Sequence, residues 1–378
     1  MTHFDFLLRT RVVFGEGTLS RVGEFARELN GSRVLLVTDS GIVRAGHAAH
    51  AVSSLEAAGL SVNVFAEVRE NPDTHDVARC VRVAEEAKVD LIVGLGGGSS
   101  MDTAKGANFL LTNGGQMRDY WGVGKATQPM LPLIAIPTTS GTGSECQSFA
   151  LISDPETHQK MACGDPKAAA KVAILDPLLT ISQPPRVTAC TGVDALAHAL
   201  ETAVTTKRNS LSLLYSREAF RLCLRALPKV LLDPGDVLAR GQIQLGAAYA
   251  GLAIENSMLG CAHSAANPLT ARFGIVHGQA VGRMLPGVVR KNASDPAARR
   301  GYLEHAAAAG LSSIEALLEA VESILEEAKL KANLATLGVT ADVIPSLAAE
   351  ACQQWTLKFN PVAYSQADFE ALYSEVLT

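Results

Sequence analysis

No C-x-x-C pair occurs in this chain, and its seven cysteines (Cys80, Cys146, Cys163, Cys190, Cys223, Cys261 and Cys352) are scattered and odd in number. That excludes a disulfide framework and fits a reduced, cytoplasmic protein. Positive charge is not in excess either. A net charge of −5 and a pI near 6.0 leave no basic footprint, so nucleic acid is not an expected partner. No run of 18 apolar residues free of charge appears, so no membrane span is expected. The opening MTHFDFLLRTRVVFGEG lacks the basic-then-apolar order of a signal peptide. Charged residues are scarce, 19% against 48% hydrophobic, which excludes disorder. With 378 residues the chain has room for two domains, each with its own core.

What is present falls into two textures. Up to residue 180, short apolar β-branched runs alternate with helical stretches. RVLLVTD (33–39), SVNVFAEV (61–68), DLIVGLGGG (90–98), LPLIAIPTT (131–139) and KVAILDP (171–177) read as strands. Helices are expected near 45–59 and near 74–87, the second opened by Asn71-Pro72-Asp73. Strand–helix alternation predicts a parallel sheet covered by helices. After Asp176-Pro177 alanine and leucine dominate, β-branched runs vanish, and stretches such as 236–265 and 311–333 fit helical periods. The expected organisation is therefore an α/β domain over 1–180 and an all-α domain over 181–378.

Two glycine segments mark the first part. GLGGGSSMDTAKG (94–106) follows a strand and opens a helix. Glycines there let a backbone approach a pyrophosphate, and free N–H groups at a helix start attract its charge. No glycine stands directly before Lys105, so the segment is not a Walker A loop, and it follows a later strand than an ordinary Rossmann fingerprint does. PTTSGTGSE (137–145) also leaves a strand end and could line a nucleotide. Open α/β sheets bind ligands at such carboxyl ends. Asp39 ends the first strong strand. It fits either a ribose-binding carboxylate, which would favour NAD over NADP, or a helix N-cap.

The second part carries Asp194 and His198, four apart in GVDALAHALE and so on one face if that stretch is helical. His263 (CAHSAANPL) and His277 (GIVHGQAVG) follow in two further segments. One carboxylate and three imidazoles suit a divalent transition metal. Four such ligands close a tetrahedral zinc shell, whereas iron(II), which prefers more ligands, keeps positions open for an alcohol or aldehyde oxygen. The other histidines, His3, His47, His50, His75, His158 and His305, lack this context and are expected at the surface.

GGGSSMDTAKG, PTTSGTGSE, TGVDALAHALE and the His263…His277 pair, in this order and spacing, resemble the iron-containing (group III) alcohol dehydrogenases. FNPVAYSQADFEALY also looks like that family's C-terminus, so the similarity spans essentially the whole chain. The resemblance implies the dehydroquinate synthase-like architecture, with an N-terminal dinucleotide-binding α/β domain and a helical C-terminal one. It implies a metal, Fe(2+) with zinc as the alternative, on Asp194, His198, His263 and His277. It assigns the pyrophosphate to Gly97, Gly98 and Ser99, with Asp102 near the nicotinamide end. Thr138, Thr139, Thr142, Asn71, Leu151 and Lys160 would contact the nucleotide, and Asp39 matches the NAD-selecting position. A homo-oligomer, a dimer or larger, is a further implication. One position departs. Members usually carry a second histidine four residues after the third ligand; here it is Asn267, which cannot titrate near neutral pH.

The expected activity is reversible transfer of a hydride between a small alcohol and NAD, with the metal polarising the alcohol oxygen. A maleylacetate reductase-like or polyol-oxidising role is compatible with the same ligands. A lyase resembling dehydroquinate synthase is a more distant alternative, set back by the lack of a Lys/Arg cluster around the metal motifs. A phosphate-binding kinase lacks its Walker pair, and a non-enzymatic protein leaves both glycine segments unexplained. Ala262, Ala265 and Leu259 are candidate pocket residues, and Phe149 and Phe273 candidate walls, for a modest apolar space.

Overall fold

The computed structural model describes residues 3–156 and 159–378. These fall into two compact units, one of Leu8–Thr139 with Gly143–Gln183, the other of residues 3–7, Ser140–Thr142 and 184–378.

The α/β unit holds β1 (Arg11–Phe14), β2 (Arg33–Val37), β3 (Ser61–Phe65), β4 (Leu91–Gly96), β5 (Gly122–Val123), β6 (Leu133–Pro137), β7 (Phe149–Ser153), β8 (Lys160–Gly164) and β9 (Val172–Leu175). Its helices are α1 (Val22–Glu28), α2 (Ser40–Arg44), α3 (His47–Ala57), α4 (Thr74–Glu86) and α5 (Gly98–Asn113). Six strands form one parallel sheet in the order β1-β9-β6-β4-β2-β3. The central strands are apolar without interruption because both of their faces are covered. Val34, Leu36, Leu91, Val93, Leu95, Ile134 and Ile136 pack on one side with Val22, Phe25 and Leu55. Their sheet neighbours Leu35, Val37, Ile92, Leu133 and Ala135 pack on the other with Cys80, Ala84, Met101 and Ala104. The chain runs from β2 outward to β3 and then returns to β4 on the opposite flank of β2. The carboxyl ends of β2 and β4 therefore form the topological switch point, the place where such sheets bind ligands.

Edge strand β1 and the small sheet β5-β8-β7, whose β7 and β8 run antiparallel, have no counterpart among the expected strands. Asp73 and Asp76 make a capping box at the start of α4, where the Asn71-Pro72-Asp73 punctuation places it.

The helical unit contains α6 (Pro185–Thr202), α7 (Ser210–Leu232), α8 (Val237–Asn256), α9 (Cys261–Phe273), α10 (His277–Asn292), α11 (Pro296–Ala309), α12 (Ile314–Glu327), α13 (Ile344–Cys352) and α14 (Gln366–Glu375). Val193, Leu196 and Leu200 of α6, Phe220 and Leu227 of α7, Ala262, Ala265 and Leu269 of α9, and Val281 and Leu285 of α10 share one core. Ala262 and Ala265, expected as pocket residues, have no exposed surface and are core alanines. Phe149 and Phe273 are half-buried. None of the helices is long and apolar enough to cross a membrane among the described residues.

One histidine contradicts its surface assignment. His3, His50 and His75 are exposed and His47 half-buried, while His158 lies outside the described residues. His305 is fully buried. Its Nε2 meets Ser216 Oγ at 2.8 Å and its Nδ1 meets the Gly301 carbonyl at 2.9 Å, so the ring is a satisfied polar group inside the helical core. Burial pushes its pKa from 6.5 down to about 4. The unfolded chain takes up this proton near pH 6.5 and the folded chain only near pH 4, so stability falls as pH drops through that window. This one group is expected to remove about 2 kcal/mol between pH 7 and pH 5. Denaturant melts at the two pH values should show the native chain losing about 2 kcal/mol more over that window than His305→Gln does.

Candidate active site

The glycine segments meet at the switch point. The Thr138 N–H donates to the Gly96 carbonyl at 2.9 Å. A Cβ on Gly97 would lie 3.4 Å from the Thr139 methyl. Gly96 has φ +147°, and a Cβ there would come within 2.4 Å of Ser100 Oγ and 3.4 Å of Asp39 Oδ2, so a side chain is excluded. Asp39 thus stands beside the turn. It also N-caps α2, accepting from the Gly41 and Ile42 N–H groups at 2.7 and 3.1 Å, so the cap reading of this residue holds. No side chain caps α5 and no acidic residue occupies its first turn, leaving the helix start open to an anion.

Around that start the Asn71 N–H donates to Ser99 Oγ at 3.3 Å, and Lys160 Nζ donates to Asn71 Oδ1 at 3.2 Å. Asp102, one turn into α5, is buried and accepts from Ser144 Oγ at 3.1 Å. Burial lifts its pKa to about 6, against the pull of Lys105, Lys160, Ser144 and the Leu151 backbone. Sequence reasoning passed over Lys105. It is fully buried and donates to the Ser144 carbonyl (2.6 Å), Ser144 Oγ (2.9 Å) and the Phe149 carbonyl (3.0 Å). Lys105 ties the second glycine segment to α5. Of the expected nucleotide contacts, only Thr142 falls outside this unit, in the stretch Ser140–Thr142 that packs with the helical one.

In the helical unit α6 does present Asp194 and His198 on one face, and α9 and α10 bring His263 and His277 to them. His198 Nε2, His263 Nε2 and His277 Nε2 lie 3.5, 3.5 and 3.9 Å from the same oxygen, Asp194 Oδ1. The rings of His198 and His263 stack with centroids 4.8 Å apart, and His277 is tilted against His263 at 5.2 Å. Donor atoms of Asp194, His263 and His277 all lie within 4.8 Å of one another, close enough to share an ion. Asp194 Oδ1 and His263 Nε2 are buried and have no hydrogen-bond partner. Buried polar atoms without partners are costly, about 1–3 kcal/mol each, and a cation between them removes the cost. The donor set and these two atoms fit a divalent metal.

Fixed partners aim the rings. His198 Nδ1 meets the Gly141 carbonyl at 3.2 Å, which turns Nε2 toward Asp194. His263 Nδ1 meets Glu201, a residue that sequence reasoning missed although it lies seven past Asp194 on the same helix face. Burial works against charge on Asp194, yet His198, His263 and His277 hold its carboxyl well below the usual range. Burial likewise pushes the His198 imidazole down toward its neutral form. It opposes charge on His263 as well, but Glu201 and Asp194 outweigh it and lift that pKa to about 9. A metal arriving here displaces a proton from His263.

Comparison with known families matches residues 9–177 to iron-containing alcohol dehydrogenase and residues 188–377 to the C-terminal part of the Fe-containing alcohol dehydrogenase family. The chain belongs to the iron-containing alcohol dehydrogenase family. It is a metal-dependent oxidoreductase of alcohols. Alcohol dehydrogenase 4 of Schizosaccharomyces pombe is 31% identical over 367 residues, 97% of this chain and 87% of that protein. The NAD-dependent methanol dehydrogenase of Bacillus methanolicus is 29% identical over 379 residues, 99% of this chain and 100% of that one. A crystal structure of 1,3-propanediol oxidoreductase superposes with a TM-score of 0.95 at 30% identity, covering 99% of this chain and 100% of that one.

Within this alcohol dehydrogenase, Asn267 sits one turn after His263 on α9, half-buried, and donates through Nδ2 to Gln354 Oε1 at 2.9 Å. The pair offers amide donors and acceptors and no titrating group.

Proposed function

We propose that this alcohol dehydrogenase oxidises a small alcohol with NAD, and reduces the matching aldehyde or ketone, at a metal held by Asp194, His198, His263 and His277. The observation that carries the ligand assignment is the convergence of three Nε2 atoms on one orphaned carboxylate oxygen. Iron(II) is the preferred ion over zinc, because four protein ligands leave it open positions. Bound there, the metal supplies Lewis acidity toward an alcohol oxygen, and NAD supplies the hydride acceptor.

The chain's own residues divide the remaining work. Gly97, Gly98 and Ser99 bring the open start of α5 to the pyrophosphate. Asp39 holds the ribose diol, and Asn71, Thr138, Thr139, Thr142, Leu151 and Lys160 line the nucleotide. Asp102 faces the nicotinamide end. His198 and His263 aim their Nε2 atoms at the metal because Gly141 and Glu201 engage their Nδ1 atoms. Asn267 and Gln354 orient a polar group and accept no proton, so proton exit runs elsewhere. The odd, scattered cysteines and the family resemblance support a cytoplasmic homo-oligomer.

The test is a panel of alcohols and aldehydes with NAD and NADP, run on metal-free protein before and after adding iron(II) or zinc. NADH should form only with metal and alcohol together. Turnover by metal-free protein would remove the reading.

Asp39 gives a second expectation. Serine is as good an N-cap as aspartate, so Asp39→Ser keeps α2 while deleting the charge that repels a 2′-phosphate. The ratio of kcat/KM for NADP over NAD should rise on the order of tenfold or more. An unchanged ratio would make Asp39 a cap only.

A further inference from the structure

We propose that Glu201 is a positioning residue that sets the His263 tautomer and thereby the metal affinity; this rests on the ligand assignment above. Asp194, His198 and Glu201 follow one another at one-turn spacing along α6, so the helix that supplies two ligands also supplies the partner of a third. Glu201 is 3% exposed. Its Oε1 accepts the Ala262 N–H at 2.6 Å, and its Oε2 pairs with His263 Nδ1.

The same carboxylate repairs a defect at the start of α9. Gly260 stands at the cap position with no capping side chain. The Cys261 N–H instead donates to Asn360 Oδ1 at 3.2 Å and the Ala262 N–H to Glu201. A negative group is favoured at a helix start by the backbone dipole. Glu201 thus joins two tasks, closing the end of α9 and facing the first imidazole that follows.

A carboxylate accepts hydrogen bonds and donates none. Facing one, His263 in its neutral, metal-binding form keeps its proton on Nδ1 and leaves a lone pair on Nε2, the atom without a partner 3.5 Å from Asp194 Oδ1. Glutamine at 201 reverses this. Its carbonyl would be taken by the Ala262 N–H, so its amide N–H groups would face Nδ1. His263 would then accept there and carry its proton on Nε2, where it blocks coordination.

Cobalt(II) titration of metal-free protein, followed by its visible d–d absorption, tests the proposal. Glu201→Gln should bind cobalt about 10–100-fold more weakly than the native chain. Glu201→Asp, which keeps an acceptor, should recover part of that loss. Asn360→Ala removes the neighbouring cap of α9 without touching His263, so it should lower the melting temperature and leave cobalt affinity within about twofold. Equal affinity in Glu201→Gln and the native chain overturns the proposal, as does an equal loss in Asn360→Ala. Failure of the native chain to bind cobalt takes down the ligand assignment as well, so the two failures are distinguishable. Should Glu201→Gln not fold, nitrogen-15 NMR of zinc-loaded native protein decides. A proton on His263 Nδ1 supports the proposal, and a bare Nδ1 overturns it.

Discussion

Asp194→Asn is expected to abolish alcohol-dependent NADH formation at stoichiometric metal while leaving NAD binding intact. The substitution conserves size and an oxygen and removes only the charge on which three imidazoles converge, at 3.5, 3.5 and 3.9 Å. Structural zinc in zinc-finger peptides is held with about 10–16 kcal/mol by four ligands; by that scale losing one of four ligands here should cost on the order of 3 kcal/mol, a hundredfold or more in affinity. A readout independent of turnover accompanies this. Metal at a thousand times its Kd stabilises a folded site by about 4 kcal/mol. The native chain should therefore melt several degrees higher on adding metal, and Asp194→Asn should not. The residues proposed for NAD lie almost wholly in the α/β unit, which is why NAD titration should be unchanged. A variant that keeps both the metal-dependent melting shift and full turnover would contradict the ligand assignment.

How much of this was legible beforehand depended on how local the signal was. The buried strands β2, β4, β6 and β9 announce themselves as unbroken apolar runs because both faces are covered. β1 was missed: it is a four-residue edge strand, half-exposed, and its pairing with β9 spans some 160 residues. β7 and β8 form a small hairpin with only alternating burial to mark β7. The i, i+4 pair Asp194–His198 could be read directly, since one helix turn sets its geometry. That His263 and His277 join them could be read only from their glycine and small-residue flanks and then from family resemblance, because the approach of α9 and α10 to α6 is a tertiary fact. Glu201 had a signal, its place seven residues after Asp194, but a buried glutamate on a helix carries no mark of its partner. His305 had none; its partner Ser216 comes from α7, a different helix, and Gly301 from one turn back on α11.

That tertiary approach leads to the second large expectation, at Gly278. Next to His277 at the start of α10, it lies against α6 so closely that a Cβ would stand 2.0 Å from the Cys190 carbonyl oxygen and 2.6 Å from its carbon. These are backbone atoms inside a helix and cannot rotate away, so Gly278→Ala must push α10 from α6. The cost is expected to be about 3 kcal/mol or more, beyond the usual range for one added methyl. The displacement falls on the pair that sets the metal site, since His277 rides on α10 and Asp194 on α6 with 3.9 Å between their facing atoms. Gly278→Ala should therefore both lower the melting temperature and weaken metal binding. Gly282, one turn further along α10, supplies the comparison. A Cβ there would meet the ends of two side chains, Val193 Cγ1 at 2.6 Å and Leu325 Cδ2 at 2.7 Å, which can give way. Gly282→Ala should cost less stability and spare metal affinity. If the two variants lose the same amount of both, the position of His277 is not fixed by the contact of α10 with α6, and the spacing of the ligands must be maintained by some other part of the helical unit.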